Sequence, residues 1–383
     1  MDPRTQEPIS YIAIEFDLEI ATAMISTPTL LLDEQRCRRN IAAMAQNAEQ
    51  QQVALRPHFK THQSLEIGRW FKEYGVNKIT VSSLAMAQYF SAEWNDITVA
   101  FPINVLEIRL INELAAKISL QLLVEDLQAL QFLSRYLEHP VGIFIKIDVG
   151  YGRTGLNPAA HHQIEGLLDE ITSSPKLNFH GFLAHAGHTY QCRSEAEIKA
   201  VHQQSKARFL PLREQYNDQF PELILSLGDT PSCSVAADYS GIDEMRPGNF
   251  VFYDLTQARV GSNTPDQIAV AMACPIVALH PERRELVLYG GGVHFSKDRL
   301  TGEPEGTVWG RVVRHQGPGW NDVIPGMYLR SLSQEHGIVV VPPEVPFDFK
   351  VGDVLKVLPV HSCMAANAMK RYLTTDGRWI ERL

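Results

Sequence analysis

The chain has 383 residues, a 45% hydrophobic share and a formal net charge of −9. That length and apolar content exceed one typical domain and predict two. No basic cluster of the kind nucleic-acid binders carry is present, and no apolar run approaches the roughly 18 residues of a membrane span.

Residues 11–16 read as a strand that joins the C-terminal half. From Thr27 to Phe250, short apolar runs alternate with amphipathic helical stretches. The runs lie at 29–32, 53–55, 78–81, 97–100, 118–124, 141–147, 177–183 and 223–227. Eight such runs with helical patterns between them predict a (β/α)8 barrel of the TIM type over residues 27–250. Residues 33–52 show the helical type, with Ile41, Met44 and Ala48 at three- and four-residue spacing. Residues 251–383, with residues 1–26 joining them, form a β-rich second domain. Its strands are expected at 268–279, 285–288, 306–313, 337–341 and 351–358. The five cysteines are scattered, odd in number and lack a C-x-x-C pair, which predicts reduced thiols and a cytoplasmic home. No basic leader followed by an apolar stretch opens the chain.

Several strand-end segments carry chemistry. Leu55-Arg56-Pro57-His58-Phe59-Lys60-Thr61-His62 places Lys60 beyond a barrel strand, at the face where barrels keep their active groups. There a partly desolvated amine can form a Schiff base with a carbonyl. Flanking His58 and His62 set this lysine apart from an ordinary solvated one. Asp148-Val149-Gly150-Tyr151-Gly152-Arg153-Thr154-Gly155 offers Arg153 to a cofactor oxygen or carboxylate. His185-Ala186-Gly187-His188-Thr189-Tyr190 packs two imidazoles and a phenol into one loop, with His185 and Tyr190 as catalytic candidates. Gly228-Asp229-Thr230-Pro231-Ser232 and Arg246-Pro247-Gly248-Asn249 have the composition of a phosphate nest at late barrel loops. In an extended His361-Ser362-Cys363, His361 and Cys363 face one side and can share a zinc ion. Two ligands are too few for a structural zinc site, and they leave positions for water and a substrate oxygen.

In this order, the segments resemble the D-serine dehydratase and D-threonine aldolase family, pyridoxal-phosphate enzymes with the alanine-racemase-like (fold-type III) architecture. The resemblance runs from Thr27-Pro28-Thr29 to His361-Ser362-Cys363. It implies that Lys60 carries pyridoxal 5'-phosphate, with His58 beside it in the cofactor-binding set. Arg153 then lies on the phenolic-oxygen side, Tyr190 near the pyridine nitrogen, and Thr230, Gly248 and Asn249 at the phosphate. His361 and Cys363 match the metal pair, and the thiolate favours zinc and the dehydratase branch. Phe250 departs from the tyrosine that many relatives carry there. The resemblance implies a homodimer acting on a small D-amino acid, with neither nucleic acid nor membrane as partner. The expected reaction is β-elimination from a D-β-hydroxy amino acid such as D-serine, giving an oxo acid and ammonia. The alternatives are D-threonine-type aldol cleavage, racemisation and a non-catalytic pyridoxal-phosphate carrier.

Overall fold

A computed structural model describes residues 25–383. The strand expected at 11–16 lies outside the described residues, as do most of the residues expected to join the second domain. By internal contacts the chain divides into two units. One comprises Arg38–Val251, Gln257–Thr264 and the last two residues; the other holds the described residues up to Cys37, Phe252–Thr256 and Pro265–Glu381.

The first predicted barrel strand is not in the barrel. β1 (Thr29–Leu32) pairs antiparallel with a strand at Val270–His280 and parallel with one at Arg371–Thr374. Hydrophobic run length cannot say which sheet a four-residue, fully buried strand joins.

The barrel strands are β2 (Ala54–Leu55), β3 (Lys78–Val81), β4 (Asp96–Pro102), β5 (Ser119–Val124), β6 (Val141–Ile147), β7 (Leu177–Ala184), β8 (Ile224–Leu227) and β9 (Glu244–Met245). Their order is β2-β9-β8-β7-β6-β5-β4-β3, with parallel pairing throughout, and a His58–Thr80 bridge draws β2 towards β3. β9 is two residues long and begins with a charged side chain, so no apolar run announced it. Ser83, Asp126, Ser194 and Asp229 each accept an N–H from the first turn of the following helix. Such caps contribute about 1 kcal/mol each.

Charge closes the barrel where the strands are shortest. Arg56, fully buried just past β2, donates to Glu244 Oε1 at 3.0 Å and Asp96 Oδ1 at 2.7 Å. Lys78 Nζ lies 3.2 Å from Glu244 Oε1, and Ser226 Oγ donates to Glu244 Oε2 at 3.0 Å. Arg246 continues the chain, donating to Ser226 Oγ at 2.8 Å and to the carbonyl of Ala184. Burial alone would raise the Glu244 pKa, but Arg56 and Lys78 outweigh it and hold the carboxyl below its usual range.

In the other unit, β10 (Val270–His280), β11 (Glu285–Tyr289), β12 (Leu300–Glu303), β13 (Gly306–Val308), β14 (Gly310–Gln316), β15 (Gly319–Leu332), β16 (His336–Val340), β17 (Val354–Pro359), β18 (Arg371–Thr374) and β19 (Trp379–Glu381) follow. The main sheet runs β11-β16-β15-β14-β17-β10-β1-β18-β19, and β11 also pairs with β10, closing six strands into a ring. Sequence reasoning passed over β15 because Pro325 and Gly326 interrupt it. A register shift against β14, from Arg311↔Tyr328 to Val313↔Val323, accommodates them, and Gly326 takes a φ of 72°.

Arg56→Met leaves Glu244 and Asp96 without their shared cation and is expected to cost the barrel about 3–5 kcal/mol. A calorimetric melt checks it, and a loss under about 1 kcal/mol would mean the network does not hold the closure. The Glu244 part of this stabilisation is present above the ordinary glutamate value and is lost as pH falls through its depressed folded value.

Candidate active site

The Lys60 turn is pinned from below. Phe59 donates its N–H to Thr80 O at 2.8 Å, and its buried ring meets Phe71, Phe90 and Trp94 at 5.0–5.1 Å between centroids. His62 belongs to the same core: it is fully buried, 4.4 Å from the Phe59 ring, and its Nδ1 accepts the Ser64 N–H at 3.1 Å. Lys60 stands above this packing with its side chain exposed. His58 is tied to the next loop by its N–H to Pro247 O at 2.8 Å. Burial, followed by the charges of Lys60 and Arg246, keeps the His58 pKa well below the usual histidine value.

Three more barrel loops gather around this turn. Gly248 donates its N–H to Thr230 Oγ1 at 3.2 Å. A Cβ on Gly248 would stand 3.0 Å from His58 Cβ and O, and one on Gly228 would stand 2.3 Å from Arg246 N. Only glycine permits these approaches. Asn249 is buried beside Gly248, and the Phe250 ring turns into the core, 6.1 Å from Phe71. Phe250 is therefore a packing residue. His185 Nδ1 lies 2.9 Å from Gly228 O, and since a carbonyl only accepts, the proton is on Nδ1 and Nε2 is an acceptor. Burial lowers the His185 pKa to about 3, and Lys146, Lys60 and Arg153 add to the effect. The imidazole is thus neutral at physiological pH. Tyr190 is half-buried on the short turn Gly187–Gln191, which Thr189 ties to Asp229 Oδ1 at 2.8 Å.

Arg153 rides on a loop held by two carboxylates. Asp148 Oδ1 accepts the N–H groups of Gly150, Tyr151 and Gly152 at 2.9–3.0 Å, and Glu125 accepts that of Gly155. Burial would raise the Asp148 pKa, but these amides hold it below the usual range. The Arg153 guanidinium covers the Tyr151 ring at 5.1 Å. Lys146, nearby on β6, escaped the sequence reading because its strand is otherwise apolar.

In the strand-rich unit, His361 and Cys363 do not share an extended strand as expected. His361 is the residue before a helix at Ser362–Ala368, and Cys363 lies in its first turn. The buried Asp254 carboxylate starts this helix, accepting the Ser362 N–H at 3.0 Å. The two side chains still meet. Burial disfavours the His361 cation, yet Asp298, with its Oδ1 3.7 Å from Nδ1, and the Cys363 sulfur outweigh that and push its pKa up. Such a surrounding suits a cation. Among the described residues no three His, Cys, Asp or Glu side chains form a metal cluster.

Residues 32–255 match the family described as "Alanine racemase, N-terminal domain". The chain belongs to that family. Residues 269–375 match a "Putative serine dehydratase domain". D-serine dehydratase of Dictyostelium discoideum is 29% identical over 378 residues, 91% of this chain and 93% of that one. A solved D-threo-3-hydroxyaspartate dehydratase, a cysteine-to-alanine variant in the metal-free form, superposes with a TM-score of 0.86 at 26% identity, covering 94% of this chain and 98% of that one. D-threonine aldolase of Arthrobacter sp is 25% identical over 359 residues, 88% of this chain and 86% of that one. These findings bear out the resemblance read from the motifs, the alanine-racemase-like fold and a lyase of the D-serine dehydratase kind. No helix among the described residues is long and apolar enough to cross a membrane.

Asp148→Ala releases three amides at once. Hydrogen exchange at Gly150, Tyr151 and Gly152 is expected to quicken about tenfold or more at neutral pH. The wild-type cap is intact there, because a depressed carboxylate pKa loses its stabilisation only as pH falls below the ordinary aspartate range. Unchanged exchange would show that the carboxylate does not hold the Arg153 loop.

Proposed function

We propose that the protein removes water from a D-β-hydroxy amino acid such as D-serine, giving an oxo acid and ammonia, with pyridoxal 5'-phosphate at Lys60 and zinc at His361 and Cys363. The carrying observation is that the Gly248 loop meets both His58, beside Lys60, and Thr230. The residues fit the cofactor. Buried Ser232 Oγ, on the turn that follows Gly228, makes no hydrogen bond of ordinary geometry. Thr230, Gly248 and Asn249 would hold its phosphate and Arg153 an oxygen on its ring. Bound pyridoxal phosphate supplies an aldehyde for an amine and a ring that takes up the electron pair left at the α-carbon.

The remaining work falls to the chain's own groups. Lys60 Nζ takes the α-proton. His185, neutral and with Nε2 bare, accepts a hydrogen bond without adding another positive charge to the mouth. Its Nδ1–H on Gly228 O ties the β7 and β8 ends together. Hydroxide is a poor leaving group, and a zinc ion held by His361 and Cys363 would supply a Lewis acid for it. The nitrogen–thiolate pair and the negative field of Asp298 and Asp254 suit a soft divalent cation. A relative's structure described as its metal-free form supports a metal in this family. The working protein is taken to be a cytoplasmic homodimer. D-threonine-type aldol cleavage is the second reading, favoured by the aldolase relative.

Borohydride reduction of the holoprotein followed by peptide mapping is expected to tag Lys60; a tag on another lysine, or none, refutes the cofactor assignment. With D-serine, the products should be an oxo acid and ammonia; release of glycine and an aldehyde from D-threonine in its place selects the aldolase reading. Cys363→Ala should lose zinc and reduce elimination about 100-fold or more.

A further inference from the structure

His202 is a buried histidine that the proposed chemistry leaves unused. It lies on the helix Glu195–Phe209 with 1% of its surface exposed. Its Nε2 stands 2.8 Å from the carbonyl of Asp238. A carbonyl only accepts, so the proton is on Nε2 and Nδ1 is an acceptor. Nδ1 has no hydrogen-bond partner among the described residues. Burial lowers the His202 pKa and the pull of Asp238 only partly offsets it, which keeps the ring neutral at physiological pH.

His202 lines an open cleft of about 260 Å³ in the barrel unit. Lys199 and Gln203 of the same helix line it too, as do Ala236, Ala237 and Asp238 from the segment between the helix Thr230–Val235 and β9. None of the six belongs to the Lys60, Arg153, Tyr190 or Gly248 loops. The polar groups differ in what they still offer. Asp238 is saturated: its Oδ2 receives buried Lys206 at 2.8 Å and Gln203 Nε2 at 3.4 Å, and its Oδ1 receives the Ser240 N–H at 3.0 Å and Oγ at 2.7 Å. Exposed Lys199 meets Glu195, one turn back on its helix, and keeps two of its three N–H donors. The cleft thus presents an ammonium and a neutral acceptor nitrogen three residues apart on one helix.

We propose that this cleft is a second small-molecule site of the barrel unit, one that takes a short carboxylate bearing a hydroxyl or amino donor. The carboxylate rests on Lys199 Nζ and the donor on His202 Nδ1. The Gln203 amide has a further N–H to give the carboxylate. Side chains three residues apart on a helix have Cβ atoms about 5–6 Å from one another, a span that suits a ligand of two or three carbons. Hydroxy acids and amino acids share this chemistry.

The test is side-chain NMR of the full protein carrying isotope-labelled histidine, with the His202 signals identified by their loss in His202→Gln. The probes are glycolate, glycine and acetate. Glycolate, glycine or both should shift His202 Nδ1 saturably, with half-saturation at about 1–10 mM. Acetate, which lacks the donor, should not. Lys199→Met, at an exposed position, should weaken the binding about fivefold or more, and Lys199→Arg should retain it. No shift with any probe, an equal shift with acetate, or unchanged affinity in Lys199→Met overturns the proposal. A response to glycolate alone marks a hydroxy-acid site and one to glycine alone an amino-acid site, and either upholds it. The signal is local to His202, so the outcome does not depend on whether pyridoxal phosphate is at Lys60.

Discussion

Arg56 links four strands of the barrel at the seam where backbone pairing is thinnest. β2 and β9 pair over two residues, and β2 reaches β3 through a single bridge at His58. Such short ladders contribute few hydrogen bonds, so the register of the seam depends on side chains. The guanidinium meets Glu244 of β9, Asp96 of β4 and Gln121 of β5, and Glu244 passes the connection to Lys78 of β3 and Ser226 of β8. Desolvation offsets much of the Coulomb gain in such a network. Its effect is on uniqueness: shifting β2 or β9 by one residue would strand several buried charges at once.

The same seam sets the chemistry. Arg246 follows β9 directly and is anchored on Ser226 and Ala184, and its charge bears on His58 and Lys146. Cations crowd the carboxyl ends of the strands, and the imidazoles among them stay neutral. Carboxylates in this region act on backbone: Asp148 and Glu125 hold the Arg153 loop, and Asp229 caps the helix after β8 while receiving Thr189. These acids thus fix the loops at the carboxyl ends of the strands.

The strand-rich unit shows how chain proximity and tertiary support combine. His361 and Cys363 are two apart in sequence, and that spacing alone marked them as a pair. The geometry that brings them together comes from Asp254, more than a hundred residues earlier, which starts a helix at Ser362. Asp298, which steadies His361, also lies outside every motif.

Local pattern was enough for most barrel strands, for the Lys60 turn, for the glycine-bearing loops and for the His361–Cys363 pair. Each is a run of a few neighbours whose residue types have one economical use: apolar runs to be buried, glycines to let backbone approach, a lysine at a strand end to present an amine. What tertiary structure alone decided are matters of partnership. β1 could complete either sheet, and pairing with β10 and β18 assigned it to the strand-rich unit. β9 is a strand by its pairing with β2 and β8, with Arg56 and Ser226 donating to its glutamate. Lys146 reads as one polar residue in an apolar run until the fold buries it within the field of Arg246, Arg153, Asp148 and Glu125. Periodicity and composition record what a residue prefers; the charge it meets across the barrel is fixed only when distant strands close.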